Sequence, residues 1–224
     1  MRRTPFPVLI TILALGLAAC GEDDGSDAAT AEPAATTATT ATGCRAVPEP
    51  QPKGEQEMER PSKRLDPDTT YVAQVTTNCG EFAITLDVED APRTSASFVH
   101  LAEQGFYDGL IFHRVSPGFV IQGGDPLGTG TGGAGYSIEE APPAATRYET
   151  GVVAMAKGAD EPAGTSGSQF FVMTENADLT PDYALLGEVT EGMEVVQKIA
   201  AVETDNFEKP TEPMVIESIT VEES

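Results

Sequence analysis

The chain has no tryptophan, only two histidines, and 13 Lys and Arg against 36 Asp and Glu. Two histidines cannot supply a multi-His metal site. A formal net charge of −23 excludes nucleic-acid binding through a basic patch, because that recognition is carried by Lys and Arg on phosphates. Acidity of this order makes copies of the chain repel one another, which fits a monomer. Cysteine is scarce and its count is odd: of Cys20, Cys44 and Cys79, one must stand outside any pairing. The apolar run from Val8 to Ala19 is 12 residues long and interrupted by Thr11 and Gly16, too short for a spanning helix.

That run suits a signal peptide instead, with Arg2 and Arg3 ahead of it as the positive region. It ends Leu17-Ala18-Ala19-Cys20, which resembles a bacterial lipobox. The resemblance implies that residues 1–19 are removed, that Cys20 is diacylated, and that the exported protein is held at the cell membrane by that lipid. Residues 21–43 are Ala, Thr, Asp, Glu and Gly with almost nothing to bury, so a disordered tether is expected. Residues 44–70 hold five prolines and no aromatic, and read as loop, the tether reaching to residue 70. Cys44 suggests that part of this loop is pinned. With Cys20 taken by lipid outside the cytoplasm, its mate is Cys79. Closing that loop stabilises the fold by roughly 4 kcal/mol in the chain-entropy treatment.

The folded domain, 71–224, opens with two alternating runs, Tyr71–Thr77 and Glu81–Leu86, around Asn78-Cys79-Gly80: a β-hairpin. Pro92 starts a helix with Phe98, Leu101 and Ala102 on its buried stripe, and Gly105 stops it. Val152–Ala156, Gln169–Met173 and Tyr183–Val189 are apolar strands, Glu191–Val202 is a second helix, and Met214–Val221 a closing strand. Between Gly128 and Gly135 lies a Gly-rich loop. It lacks the Lys-Ser/Thr ending of a phosphate-binding loop and is not followed by a helix start, so nucleotide binding is set aside. Short strands with two isolated helices argue for an antiparallel barrel.

The central stretch is Phe112-His113-Arg114-Val115-Ser116-Pro117-Gly118-Phe119-Val120-Ile121-Gln122-Gly123-Gly124-Asp125. It reads as two short strands about a Pro-Gly turn, ended by a Gly-Gly break, with an Arg among apolar neighbours. Together with Gly164-Thr165-Ser166-Gly167-Ser168-Gln169-Phe170-Phe171-Val172 and Gly151–Ala156, it closely resembles the core motifs of the cyclophilins, over about Tyr71 to Val221. The resemblance implies a mainly β fold, a closed eight-stranded antiparallel barrel capped by two α-helices. It implies peptidyl-prolyl cis-trans isomerase activity on proline-containing segments of exported proteins, with no metal or cofactor.

On matched motif positions the resemblance makes Arg114 the catalytic residue. Phe119, Val120, Phe171 and Leu179 become the pocket for the pyrrolidine ring, and Gln122 positions Arg114 or the substrate backbone. Ala156 and Lys157 meet the substrate backbone, Gln169 lies near the neighbouring subsite, and Tyr183 offers a ring edge. Val120 stands where many members have Met, Lys157 where many have Asn, and Tyr183 where a His is common. The tryptophan associated with tight cyclosporin binding is absent, its gap falling near Asp178, so weak inhibition is expected. His113 is expected to be structural, hydrogen-bonded inside the barrel, and His100 to lie on the surface. A second reading is a non-catalytic binder using the same groove as a chaperone or adaptor.

Overall fold

A computed structural model describes residues 39–224. The signal segment, the Cys20 lipid site and the first part of the tether lie outside the described residues. From Tyr71 buried and half-buried positions alternate, giving β1 (Tyr71–Thr77). Thr77 Oγ1 donates to Gly80 O and accepts from Cys79 N, which closes the turn into β2 (Gly80–Leu86). Proline at the first turn opens α1 (Pro92–Glu103), whose own N-cap, Ala91, supplies no side-chain acceptor. The Glu140 carboxylate does so from a distance, taking the N–H groups of Arg93 and Thr94 at 3.0 and 2.7 Å; a negative charge is favoured at that end of the helix dipole.

The remaining elements are β3 (Leu110–Ile111), β4 (Arg114–Ser116), β5 (Val120–Gly123), β6 (Ile138–Glu139), β7 (Val152–Met155) and β8 (Thr165–Ser166). They are followed by β9 (Phe170–Met173), β10 (Leu185–Glu191), α2 (Met193–Ala200) and β11 (Val215–Glu223). Nine strands form one curled antiparallel sheet in the order β3-β11-β1-β2-β10-β7-β9-β5-β4, with β6 and β8 paired separately. The barrel is therefore not closed and has nine strands rather than eight. The extra strand arises because the run through Phe112 to Ser116 does not stay in one ladder. Phe112 N donates to Met214 O, continuing the β3–β11 pairing, whereas Val115 N donates to Glu208 O in a loop. At Phe112-His113 the backbone thus changes partners, and the outer edge of β4 is covered by the 203–211 loop instead of a strand.

Inside the curl, Phe98, Tyr107, Phe112 and Phe170 pack ring to ring with centroids 4.9–6.2 Å apart. Burying each such side chain contributes about 1.5–3 kcal/mol. The amphipathic stripe of α1 lies against β10 and β11, and α2 buries Val195, Val196, Ile199 and Ala200 toward β2, β4 and β5. The Gly-Gly break is a steric necessity at Gly124: its φ is +85°, and a Cβ there would come 2.4 Å from Ser168 O.

Where a tether was expected through residue 70, the structure lays 44–70 along the domain as an ordered strap. Cys44 and Cys79 are disulfide-bonded across 35 residues of chain, as the cysteine arithmetic implies. Arg45 N donates to Asn78 O, Lys53 N to Pro126 O and Met58 N to Ala134 O, while Met58 and Leu65 pack against the core. Low hydrophobicity concealed this, because the strap is held by backbone donors. His100, expected at the surface, is half-buried and its Nε2 meets Glu59 O of the strap at 3.1 Å.

Candidate active site

Strand register brings the site together. Arg114 on β4 pairs with Gln122 on β5, Gln122 with Phe171 on β9, and Phe171 with Ala154 on β7. Directly paired residues present their side chains on the same face of a sheet. One row therefore carries a cation, an amide and an aromatic ring across three strands on the outer face. Phe170, one residue along, points the other way into the core and Phe171 outward.

On that outer face Val120, Tyr148, Ala154, Phe171 and Met173 form a second apolar cluster, with Phe119, Leu179 and Tyr183 packed against it. Nine side chains surround a pocket of about 140 Å³: Arg114, Phe119, Val120, Gln122, Ala156, Lys157, Phe171, Leu179 and Tyr183. The tenth site residue, Gln169, stands beside it and is reached through Gln122, whose Nε2 donates to Gln169 Oε1 at 2.9 Å. Gln169 in turn donates to Gly132 O in the Gly-rich loop at 2.8 Å. Past Gln122, Ala156 and Lys157 opens a second hollow of about 700 Å³, lined by that loop, Gln169 and Arg60 of the strap.

The walls are held by their own neighbours. The Phe171 and Tyr183 rings meet edge to face with centroids 5.4 Å apart. Tyr148, unnoticed in the sequence, fixes Tyr183 from behind: its OH donates to Tyr183 O at 2.7 Å and accepts from Tyr183 N at 3.1 Å. Lys157 Nζ sits 5.8 Å from the centre of the Tyr183 ring. Arg114 is about one-third exposed and lies against the Phe119 ring, Cζ 6.0 Å from its centroid. Its Nε donates to Glu208 Oε2 at 2.6 Å and its Nη1 to Gln122 Oε1 at 3.2 Å. The hydrogen bond from Ser116, helped by the hydrogen bond and charge of Arg114, holds the Glu208 carboxyl below its usual range against the opposing effect of burial.

His113 faces away from this pocket's lining and is 7% exposed. Contrary to expectation, neither ring nitrogen has a hydrogen-bond partner among the described residues. Burial pushes its pKa down; Asp125 opposes this and Arg114 adds to it. Because its ring lies outside the pocket, His113 has no substrate atom within reach for proton exchange. Among the described residues no group of three or more His, Cys, Asp or Glu is arranged to hold a metal, and no helix is long and apolar enough to cross a membrane.

The geometry, then, is an apolar slot with aromatic walls and one oriented guanidinium at its rim. Residues 72–221 match the family described as cyclophilin type peptidyl-prolyl cis-trans isomerase/CLD. Peptidyl-prolyl cis-trans isomerase A of Mycobacterium tuberculosis is 40% identical over 174 residues, covering 69% of this chain and 94% of the relative. Peptidyl-prolyl cis-trans isomerase B of Streptomyces anulatus is 42% identical over 170 residues, covering 67% and 95%. A cyclophilin type isomerase of Cryptosporidium parvum, crystallised in the presence of the dipeptide Ala-Pro, has a similar structure, with a TM-score of 0.63 and 31% identity over 67% of this chain and 98% of that one.

Proposed function

The chain belongs to the cyclophilin-type peptidyl-prolyl cis-trans isomerases and is an enzyme of that activity, and we propose that it works on exported proteins by gripping the twisted imide at Arg114. The barrier to be lowered is lost amide resonance, about 18–20 kcal/mol, which leaves X-Pro exchange at tens to hundreds of seconds unaided. Reaching roughly 10–1,000 turnovers per second requires removing about 4–7 kcal/mol. No bond forms or breaks, so what is required is a surface that holds the twisted state more tightly than either planar one.

In the twisted state the prolyl nitrogen becomes pyramidal and gains a usable lone pair. A fixed cationic donor meets that lone pair more strongly than it meets the planar amide, and a water-poor setting enlarges the difference. The pyrrolidine ring is held by Phe119, Val120, Phe171 and Leu179, with Tyr183 closing one side, while Ala156 and Lys157 meet the substrate backbone. The single observation carrying this reading is the position of Arg114 on the wall of that pocket, tethered on two sides and lying on Phe119. The crystallised relative with Ala-Pro supports proline-containing segments as the substrate class.

Exchange spectroscopy on an Ala-Pro peptide tests it. Wild-type protein accelerates exchange, and Arg114→Ala removes most of the acceleration while leaving peptide binding measurable. A wild-type rate equal to the uncatalysed one would leave only a binder using the same groove. We further propose that the lipid on Cys20 holds the enzyme at the outer or periplasmic side of the cell membrane. Cys20→Ser would then move the protein from the membrane fraction to the soluble fraction, and an unchanged distribution would refute the anchor.

A further inference from the structure

We infer that Glu208 is a positioning residue for the reaction, orienting the Arg114 guanidinium from the open seam of the sheet. The inference rests on the reading that Arg114 acts on the imide. Glu208 is the one non-glycine residue among the described residues with positive φ, at 63°. Left-handed backbone at such a residue persists where the surroundings over-determine it, and it concentrates at functional sites. Three groups of the β4 strand do so here. Val115 N donates to Glu208 O at 2.8 Å, Ser116 Oγ to Oε1 at 2.5 Å, and Arg114 Nε to Oε2 at 2.6 Å. Each carboxylate oxygen therefore has its own donor, so the group cannot rotate without losing one.

The loop that presents Glu208 is itself braced. Asp205 N donates to Lys209 O and Glu208 N to Asp205 O, while Asp205 Oδ1 accepts from Phe207 N and Lys209 N at 2.8 and 3.0 Å. Lys209 Nζ then reaches Glu49 of the strap at 2.9 Å. This rigid turn occupies the edge of β4 that a closed barrel would have filled with another strand. The consequence for Arg114 is geometric. Glu208 takes Nε from one side and Gln122 takes Nη1 from the other, which fixes both the plane and the roll of the fork, while Nη2 has no protein hydrogen bond among the described residues. A guanidinium fixed this way meets the prolyl nitrogen without first losing its rotational freedom.

Peptide exchange rates at varied substrate give kcat and KM for Glu208→Ala, Glu208→Gln, Arg114→Ala and the Glu208→Ala/Arg114→Ala pair. Loss of one charge-assisted hydrogen bond predicts that Glu208→Ala lowers kcat about tenfold with KM within about twofold. Glu208→Gln, which still offers a carbonyl oxygen to Nε, stays within about threefold of wild type. In the Arg114→Ala background the Glu208 change does nothing more, because there is no fork left to orient. Glu208→Gly guards against misfolding: it loses the same hydrogen bonds as Glu208→Ala but relieves the left-handed backbone, so its melting temperature equals or exceeds that of Glu208→Ala while kcat falls to the same extent. Positioning is overturned if Glu208→Ala keeps the full kcat while Arg114→Ala does not, or if it slows the Arg114→Ala enzyme further. Full activity in Arg114→Ala overturns instead the reading of Arg114 itself.

Discussion

Replacing Arg114 by Lys keeps the positive charge and removes the fork, which makes it the sharpest probe of the proposed chemistry. In the structure the side chain makes two divergent hydrogen bonds, to Glu208 at 2.6 Å and Gln122 at 3.2 Å, from nitrogens at opposite ends of one plane. A single ammonium can occupy only one of those positions, and taking the Glu208 side draws it away from the slot. What is lost in the twisted state is a directed charge-assisted hydrogen bond, about 1.5–3 kcal/mol. That converts to a fall in kcat of about 10- to 150-fold. Stability should scarcely move, because the ion pair is between one-third and two-fifths exposed and such pairs contribute about 0–1 kcal/mol. Exchange spectroscopy on an Ala-Pro peptide reads the rate, and urea unfolding reads the stability. If Arg114→Lys retains about a third or more of the wild-type rate, positive charge alone suffices and the directional argument is wrong.

Three other outcomes are expected. Replacing both Cys44 and Cys79 by Ser should cost about 4 kcal/mol in urea unfolding, given the 35 residues that separate them; a loss under about 1 kcal/mol would mean that the unfolded chain is barely constrained by the bridge. Burial holds His113 below its ordinary 6.5, so the unfolded chain protonates first; stability present above that value is lost as pH falls below it, and the difference between wild type and His113→Leu in urea midpoint should follow that sign. A difference independent of pH would refute it. Cyclosporin should inhibit weakly, and a dissociation constant as tight as that of tryptophan-bearing members would show that the wall near Asp178 supplies the missing contact another way.

Much of the fold could be read from sequence because its signals are local. The Tyr71–Thr77 alternation, Pro92 with the stripe at Phe98, Leu101 and Ala102, and the α2 stripe each sit within one element and end near their expected limits. The row of Arg114, Gln122 and Phe171 also follows from motif spacing, since period-two geometry decides which face each residue takes. What escaped is what depends on distant backbone. The seam opens because Phe112 and Val115 donate to residues about a hundred positions away, and the two-residue β6–β8 ladder is too short to carry a pattern. Glu208 is one acid among 36 Asp and Glu, so nothing in composition singled it out. The strap left one hint: Gly135 has φ +83° and would place a Cβ 2.6 Å from Gln56 O, which marks a close backbone approach without naming the visitor.

The stitch between Cys44 and Cys79 has a mechanical meaning. A pull on the chain from its amino-terminal side is passed by the bridge to the β1–β2 turn, whose two strands are each hydrogen-bonded to neighbours on both sides. Residues 53–60, which meet the Gly-rich loop through Met58 and Gln56, follow that bridge in the chain, so the load is shared before it bears on them. The bridge thus gives the hollow beside the slot a second support, so that its shape does not rest on the strap's contacts alone.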